Sequence, residues 1–136
     1  MIKLSAIQLN SKANVEHNLN VIAKQLDKLT KVTHDISNNQ TEHIVVLPEC
    51  CLFFGASDKA QLSLAEQSEA NDELQVALST LARKYNVTLI GGTIPLITKD
   101  GNKFTNSCCA FNSNGKLLGR YDKIHLFDVN VEDNEK

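Results

Sequence analysis

The chain has 136 residues, 42% of them apolar and 22% charged, a balance that supports one globular domain with a real core. A net charge of -2, no Lys/Arg cluster and few aromatic residues leave no electrostatic footprint for nucleic acid or an anionic membrane surface, and neither partner is expected. No run approaches the roughly 18 consecutive apolar residues of a membrane span. Met1 to Asn10 lacks the basic and then apolar pattern of a secretory signal, so a cytoplasmic location is expected.

In chain order, Ile2, Leu4, Ala6 and Gln8, with Ile7 and Leu9 interleaved, form a short strand-like run. Val15, Leu19, Ile22, Ala23, Leu26 and Leu29 recur at spacings of three and four, and Asn14 is placed to cap, which predicts an amphipathic helix over Asn14 to Val32. A polar turn at Ser37 to Thr41 leads to Ile44-Val45-Val46-Leu47, an apolar run closed by Pro48 that suits a buried parallel strand. Glu49 to Ala56 is irregular, and Lys59 to Glu66 is only faintly helical. Leu74, Ala77, Leu78, Leu81, Ala82 and Tyr85 share one face of a second helix that stops at Asn86.

Val87 to Ile90 then reads as the third strand. Gly91-Gly92 interrupts it, and Thr93 to Thr98 continues in extended form to a turn at Asp100-Gly101-Asn102. Phe104 to Phe111 is the return strand, and Asn114-Gly115 marks a further hairpin leading to Leu117 to Tyr121. The predicted order is β-α-β-α-β-β-β. Val131 to Lys136 is acidic and polar, as a surface loop or frayed terminus would be.

The four cysteines stand as two adjacent pairs, Cys50-Cys51 and Cys108-Cys109, which fits neither a metal-ligand spacing nor a disulfide framework. They read as free thiols used as small apolar residues. Glu49 follows an apolar strand and a proline, a place where burial would raise a carboxyl pKa towards useful acid and base chemistry; by position alone the preferred reading is a surface loop glutamate. Lys123 is bracketed by apolar and aromatic residues in Tyr121-Asp122-Lys123-Ile124-His125-Leu126-Phe127-Asp128 and could donate to a developing oxyanion; the plainer reading is a solvated lysine at a strand end. His125 reads as a packed, hydrogen-bonded histidine.

Taken together, Leu47-Pro48-Glu49, Gly91-Gly92-Thr93-Ile94-Pro95, Asn106-Ser107, Gly115-Lys116 and Tyr121 to Asp128 resemble, in order, the successive motifs of the nitrilase superfamily of carbon-nitrogen hydrolases. The resemblance covers essentially the whole chain but about the first half of a family domain. The segment Lys123 to Val129 is most similar to the Nit branch, which includes omega-amidases and the amidase of deaminated glutathione.

This resemblance implies an α/β fold, a four-layer αββα sandwich present here in part, with residues 1–136 forming a partial domain that stops before the nucleophile. It implies a Cys-Glu-Lys catalytic set with Glu49 as general base and Lys123 as oxyanion stabiliser. No metal or organic cofactor is implied. The substrate would be a small amide, such as the monoamide of a dicarboxylic acid.

The family nucleophile follows the lysine, and no cysteine occurs after Cys109. Cys50 and Cys51 are not expected to replace it, because neighbours on an extended segment point to opposite sides. The chain alone is therefore expected to be inactive, with a complementing C-terminal half or a homo-oligomer as its partner. A non-catalytic small-molecule binding or interaction domain is the alternative from a different functional class.

Overall fold

A computed structural model describes residues 1–34 and 41–125. Most of the polar turn read at Ser37 to Thr41, the end of the lysine motif from Leu126 onward and the acidic tail lie outside the described residues. The elements are β1 (Ile2–Ala6), α1 (Val15–His34), β2 (Glu42–Val46), α2 (Asp58–Glu69), α3 (Glu73–Tyr85), β3 (Thr88–Ile90), β4 (Ile94–Ile97), β5 (Phe104–Phe111) and β6 (Leu117–Asp122).

Local chemistry explains most of these boundaries. The Asn14 side chain accepts the His17 amide at 2.9 Å and caps α1 as its sequence position suggests. Asn86 ends α3 in the left-handed region at φ 53°, its amide returning to the carbonyls of Ala82 and Arg83. The order gains two elements over the sequence reading, because the faintly helical run is a full 12-residue helix, α2, and the strand interrupted at Gly91-Gly92 is two strands, β3 and β4. Ser57 caps α2 by accepting the Ala60 amide at 3.2 Å. Its buried face is small, Ala65 and Ser68, so apolar periodicity gave little sign of it.

The strands form one mixed sheet. β2 lies between β1 and β3 and is parallel to both, with Leu4 opposite Ile44 and Val46 opposite Ile90. β5 runs antiparallel to β3 and β4 along one edge and to β6 along the other. Within that hairpin the register advances by one residue between the Ile90–Ala110 and Ile94–Ser107 pairs, which marks a bulge at Gly91-Gly92-Thr93.

One sheet face packs on the helices. Val45, Leu89, Cys109 and Phe111 meet Ile22, Leu26, Leu78 and Ala82 in a single apolar cluster. The opposite face is open. Ile2 is 65% and Leu4 71% exposed, and Ile44, Val46, Ile90 and Ala110 beside them are only half-buried. The apolar run of β2 is thus covered on one side alone, which corrects the expectation of a strand buried on both.

Near the rim of the covered face, buried His43 lies 2.8 Å from the Ser5 hydroxyl through Nε2. Burial, reinforced by the charge of Lys3, holds its pKa below the ordinary 6.5. The unfolded chain therefore binds the proton more readily. The contribution of neutral His43 is full above 6.5 and is lost as pH falls through that value towards the depressed folded one. Thermal unfolding followed from about pH 7.5 to about pH 5 should show a falling midpoint, and His43→Gln should flatten that decline.

Candidate active site

Glu49 is carried by a tight turn immediately after β2. Leu47 still pairs with β3, donating its amide to the Ile90 carbonyl at 2.9 Å, and Pro48 then removes a backbone donor so that the ladder cannot continue. Cys50 adopts φ 54°, a left-handed conformation that is uncommon for a residue with a side chain. Its amide donates to the Thr93 hydroxyl at 2.8 Å. Cys51 turns inward, fully buried, with its thiol 3.3 Å from the Gly91 carbonyl oxygen.

Gly92 makes this arrangement sterically feasible. It sits at φ 58°, and a side chain there would overlap the carbonyl oxygen of Pro48 and crowd that of Leu47. The bulge and the Glu49 turn are in contact backbone to backbone.

Lys123 comes from the other end of the chain, directly after β6. Its amide donates to the Asn106 carbonyl at 2.9 Å, extending the β5–β6 ladder by one step. The preceding Asp122 accepts from buried Ser107 and from Arg120, each at 2.7 Å, and these bonds hold its carboxyl below the usual range. Thus anchored, β6 delivers Lys123 to Glu49. The ammonium Nζ donates to Oε1 at 2.7 Å across 74 residues of sequence.

Both residues line a cleft of about 650 Å³ with Cys50, Asn106, Phe104 and Phe54, the first turn of α2 (Asp58, Lys59, Gln61, Leu62), and Asn102 and Lys103 of the hairpin turn. Among the described residues, three lysines, Lys59, Lys103 and Lys123, line it with two carboxylates, Glu49 and Asp58. The cleft therefore has a cationic excess. Among the described residues no group of three His, Cys, Asp or Glu side chains could hold a metal ion.

Three sequence expectations change here. The Glu49 side chain is 57% exposed, not desolvated, because this side of the cleft is open; Lys123, at 28%, is the more enclosed partner. Cys50 does face the cleft, since residues 49 and 50 form a turn and the alternation of an extended strand does not apply. His125 is exposed, not packed, because it lies beyond the end of β6, where Ile124 beside it is also exposed.

The thiols are poorly suited to attack. Burial raises the Cys50 pKa, Glu49 adds to the rise, and the Thr93 hydroxyl and Lys123 oppose it. Burial pushes Cys51 to about 12 and Cys109 to about 11, and it raises Cys108 as well. Near neutral pH all four remain thiols. The cleft walls from α2, Phe54 and Lys103 were not legible in the sequence; the one usable sign was Ser57, a capping residue at the start of α2.

The pattern of the carbon-nitrogen hydrolases matches residues 3–136, and the chain belongs to that family. It is 34% identical over 131 residues to a deaminated glutathione amidase of Yersinia enterocolitica, covering 96% of this chain and 42% of the relative. It is 32% identical over 133 residues to omega-amidase NIT3 of Saccharomyces cerevisiae, covering 96% and 43%. The crystal structure of the yeast Nit3 protein, a member of the nitrilase superfamily, superposes with a TM-score of 0.73 at 32% identity over 93% of this chain and 45% of that one. The fold is therefore that of the nitrilase superfamily. The chain spans less than half the length of these relatives.

The contact at Gly92 yields a stability test. Gly92→Ala should cost about 3 kcal/mol or more in denaturant unfolding, because it adds a backbone clash to a left-handed conformation. Gly119→Ala, where an added carbon meets nothing within 4 Å, should change stability by less than about 0.5 kcal/mol.

Proposed function

We propose that this chain supplies the base and the oxyanion-stabilising cation of a carbon-nitrogen hydrolase acting on a small amide. The observation that carries the reading is the 2.7 Å contact between the Lys123 ammonium and the Glu49 carboxylate inside the cleft. In the reaction, Glu49 takes the proton of an attacking thiol and passes it to the departing amine. Lys123 donates to the oxygen that becomes negative in the tetrahedral intermediate. Water then cleaves the thioester, with Glu49 again accepting a proton.

The thiolate is assigned to a residue outside these 136 positions. The pKa values of the four cysteines present are all raised by burial, and that of Cys50, the one in the cleft, is raised further by the same carboxylate that would have to activate it. The open apolar sheet face around Leu4 and Ile44 suits a second apolar sheet, supplied by a complementing half or, in a homo-oligomer, by another copy. The cationic excess suits an amide that carries a carboxylate, such as the monoamide of a dicarboxylic acid, and the named relatives include an omega-amidase and a deaminated glutathione amidase. With no metal or organic cofactor called for, a cytoplasmic setting is the natural one for free thiol chemistry.

A second reading is favoured by one observation, the raised pKa values of all four thiols. The chain alone would then be a small-molecule binding domain that keeps the cleft without the chemistry.

Light scattering with chromatography on the chain, alone and mixed with the C-terminal half of a nitrilase-like amidase, separates these readings. Amidase activity confined to a mixed complex supports the first; a stable, inactive monomer indifferent to the added half supports the second. In an active complex, Glu49→Gln and Lys123→Ala should each lower kcat about 100-fold or more while the fold is retained. Cys50→Ser should leave turnover in place. Near-normal rates in either of the first two variants would sink the role assignments.

A further inference from the structure

Glu49 owes its direction to a turn that is unfavourable by itself. Residue 50 sits at φ 54° with a cysteine side chain, and αL geometry at such a residue costs about 1 kcal/mol or more unless neighbouring groups over-determine it. The preceding proline offers no amide to hold the turn from its other side. Three contacts converge on it from one short stretch of the β3–β4 strand. The Gly92 backbone presses against Pro48, the Gly91 carbonyl accepts from Cys51, and the Thr93 hydroxyl accepts from the Cys50 amide at 2.8 Å.

Of the three, only the last comes from a side chain, so only there does the identity of the residue supply the bond. The one-residue bulge at Gly91-Gly92-Thr93 lies where the strand passes the Glu49 turn. Bulges at such places redirect a side chain out of the strand alternation.

We propose that Thr93 is a positioning residue for Glu49: from the bulge, its hydroxyl holds the Cys50 amide and thereby locks the left-handed turn that points the Glu49 carboxylate at Lys123. The catalytic sense of this rests on the reading of Glu49 as the base, but the geometric claim does not. Thr93 does not line the cleft; it acts through the main chain at Cys50. Serine at 93 can supply the same acceptor, whereas valine, of the same shape, cannot.

The test is amide hydrogen exchange by NMR on the 136-residue chain, with the side-chain contact between Glu49 and Lys123 followed by proton cross-relaxation. In Thr93→Val, exchange at Cys50 should accelerate about tenfold or more while the core amide of Leu89 is unchanged, and the Glu49–Lys123 cross-peak should weaken or vanish. Thr93→Ser should restore both, which a role in packing alone would not predict. Thr93→Ala, also without a hydroxyl but smaller, should repeat the valine result if valine disturbs the fold.

Wild-type exchange at Cys50 in both hydroxyl-free variants, or an intact cross-peak in them, would overturn the proposal. So would a serine variant that behaves like the valine one. None of these readouts needs turnover, so their failure is distinct from failure of Glu49 as base, which the variants of the mixed complex decide.

Discussion

Where Leu47-Pro48-Glu49 leaves the sheet, the Pro48 carbonyl occupies the space that any side chain at position 92 would need. The site depends on that contact. It brings a strand end and a hairpin bulge together at backbone distance, and each supplies what the other lacks. The bulge contributes acceptors, the Thr93 hydroxyl and the Gly91 carbonyl; the turn contributes donors, the Cys50 amide and the Cys51 thiol. Among the described residues no buried side-chain polar atom lacks a partner. A site of several short polar contacts can therefore sit beside an apolar core without the cost of unsatisfied groups.

The electrostatics follow from the same geometry. β2 and β6 are not neighbours in the sheet, yet the level at which each ends is set through the ladders that join β2 to β3, β3 and β4 to β5, and β5 to β6. The hydrogen bonds of Asp122 to Ser107 and Arg120 pin the last of these steps. Glu49 and Lys123 consequently meet at 2.7 Å. Their exposure matches the open sheet face, since both the cleft and that face are covered on one side only by this chain. A charged pair at this exposure adds little to stability.

Much of the architecture was legible in the residues. The 3.6-residue periodicity of Val15 to Leu29, the caps at Asn14 and Asn86, and the turn residues Gly101 and Gly115 act over a few positions, and the elements they delimit occur where their chemistry places them. Helix α2 was harder to see because it buries only Ala65 and Ser68, and a helix with a small buried face shows little apolar periodicity. The exposure of Glu49 and His125 and the direction of Cys50 went the other way. Each was judged from its immediate neighbours, whereas exposure depends on which faces of the assembled sheet are covered.

The sequence by itself determined most of the secondary structure, α2 excepted, and the membership of Glu49 and Lys123 in one ordered set of motifs, because capping, turn formation and hydrophobic periodicity are short-range properties. Only the tertiary structure decided that these two side chains touch, that Cys50 shares their cleft with its pKa raised by burial, and that the Thr93 hydroxyl accepts the Cys50 amide. The physical reason is separation along the chain. Glu49 and Lys123 stand 74 positions apart, and a distance of 2.7 Å across that interval follows from strand register and backbone contact, which no local pattern encodes.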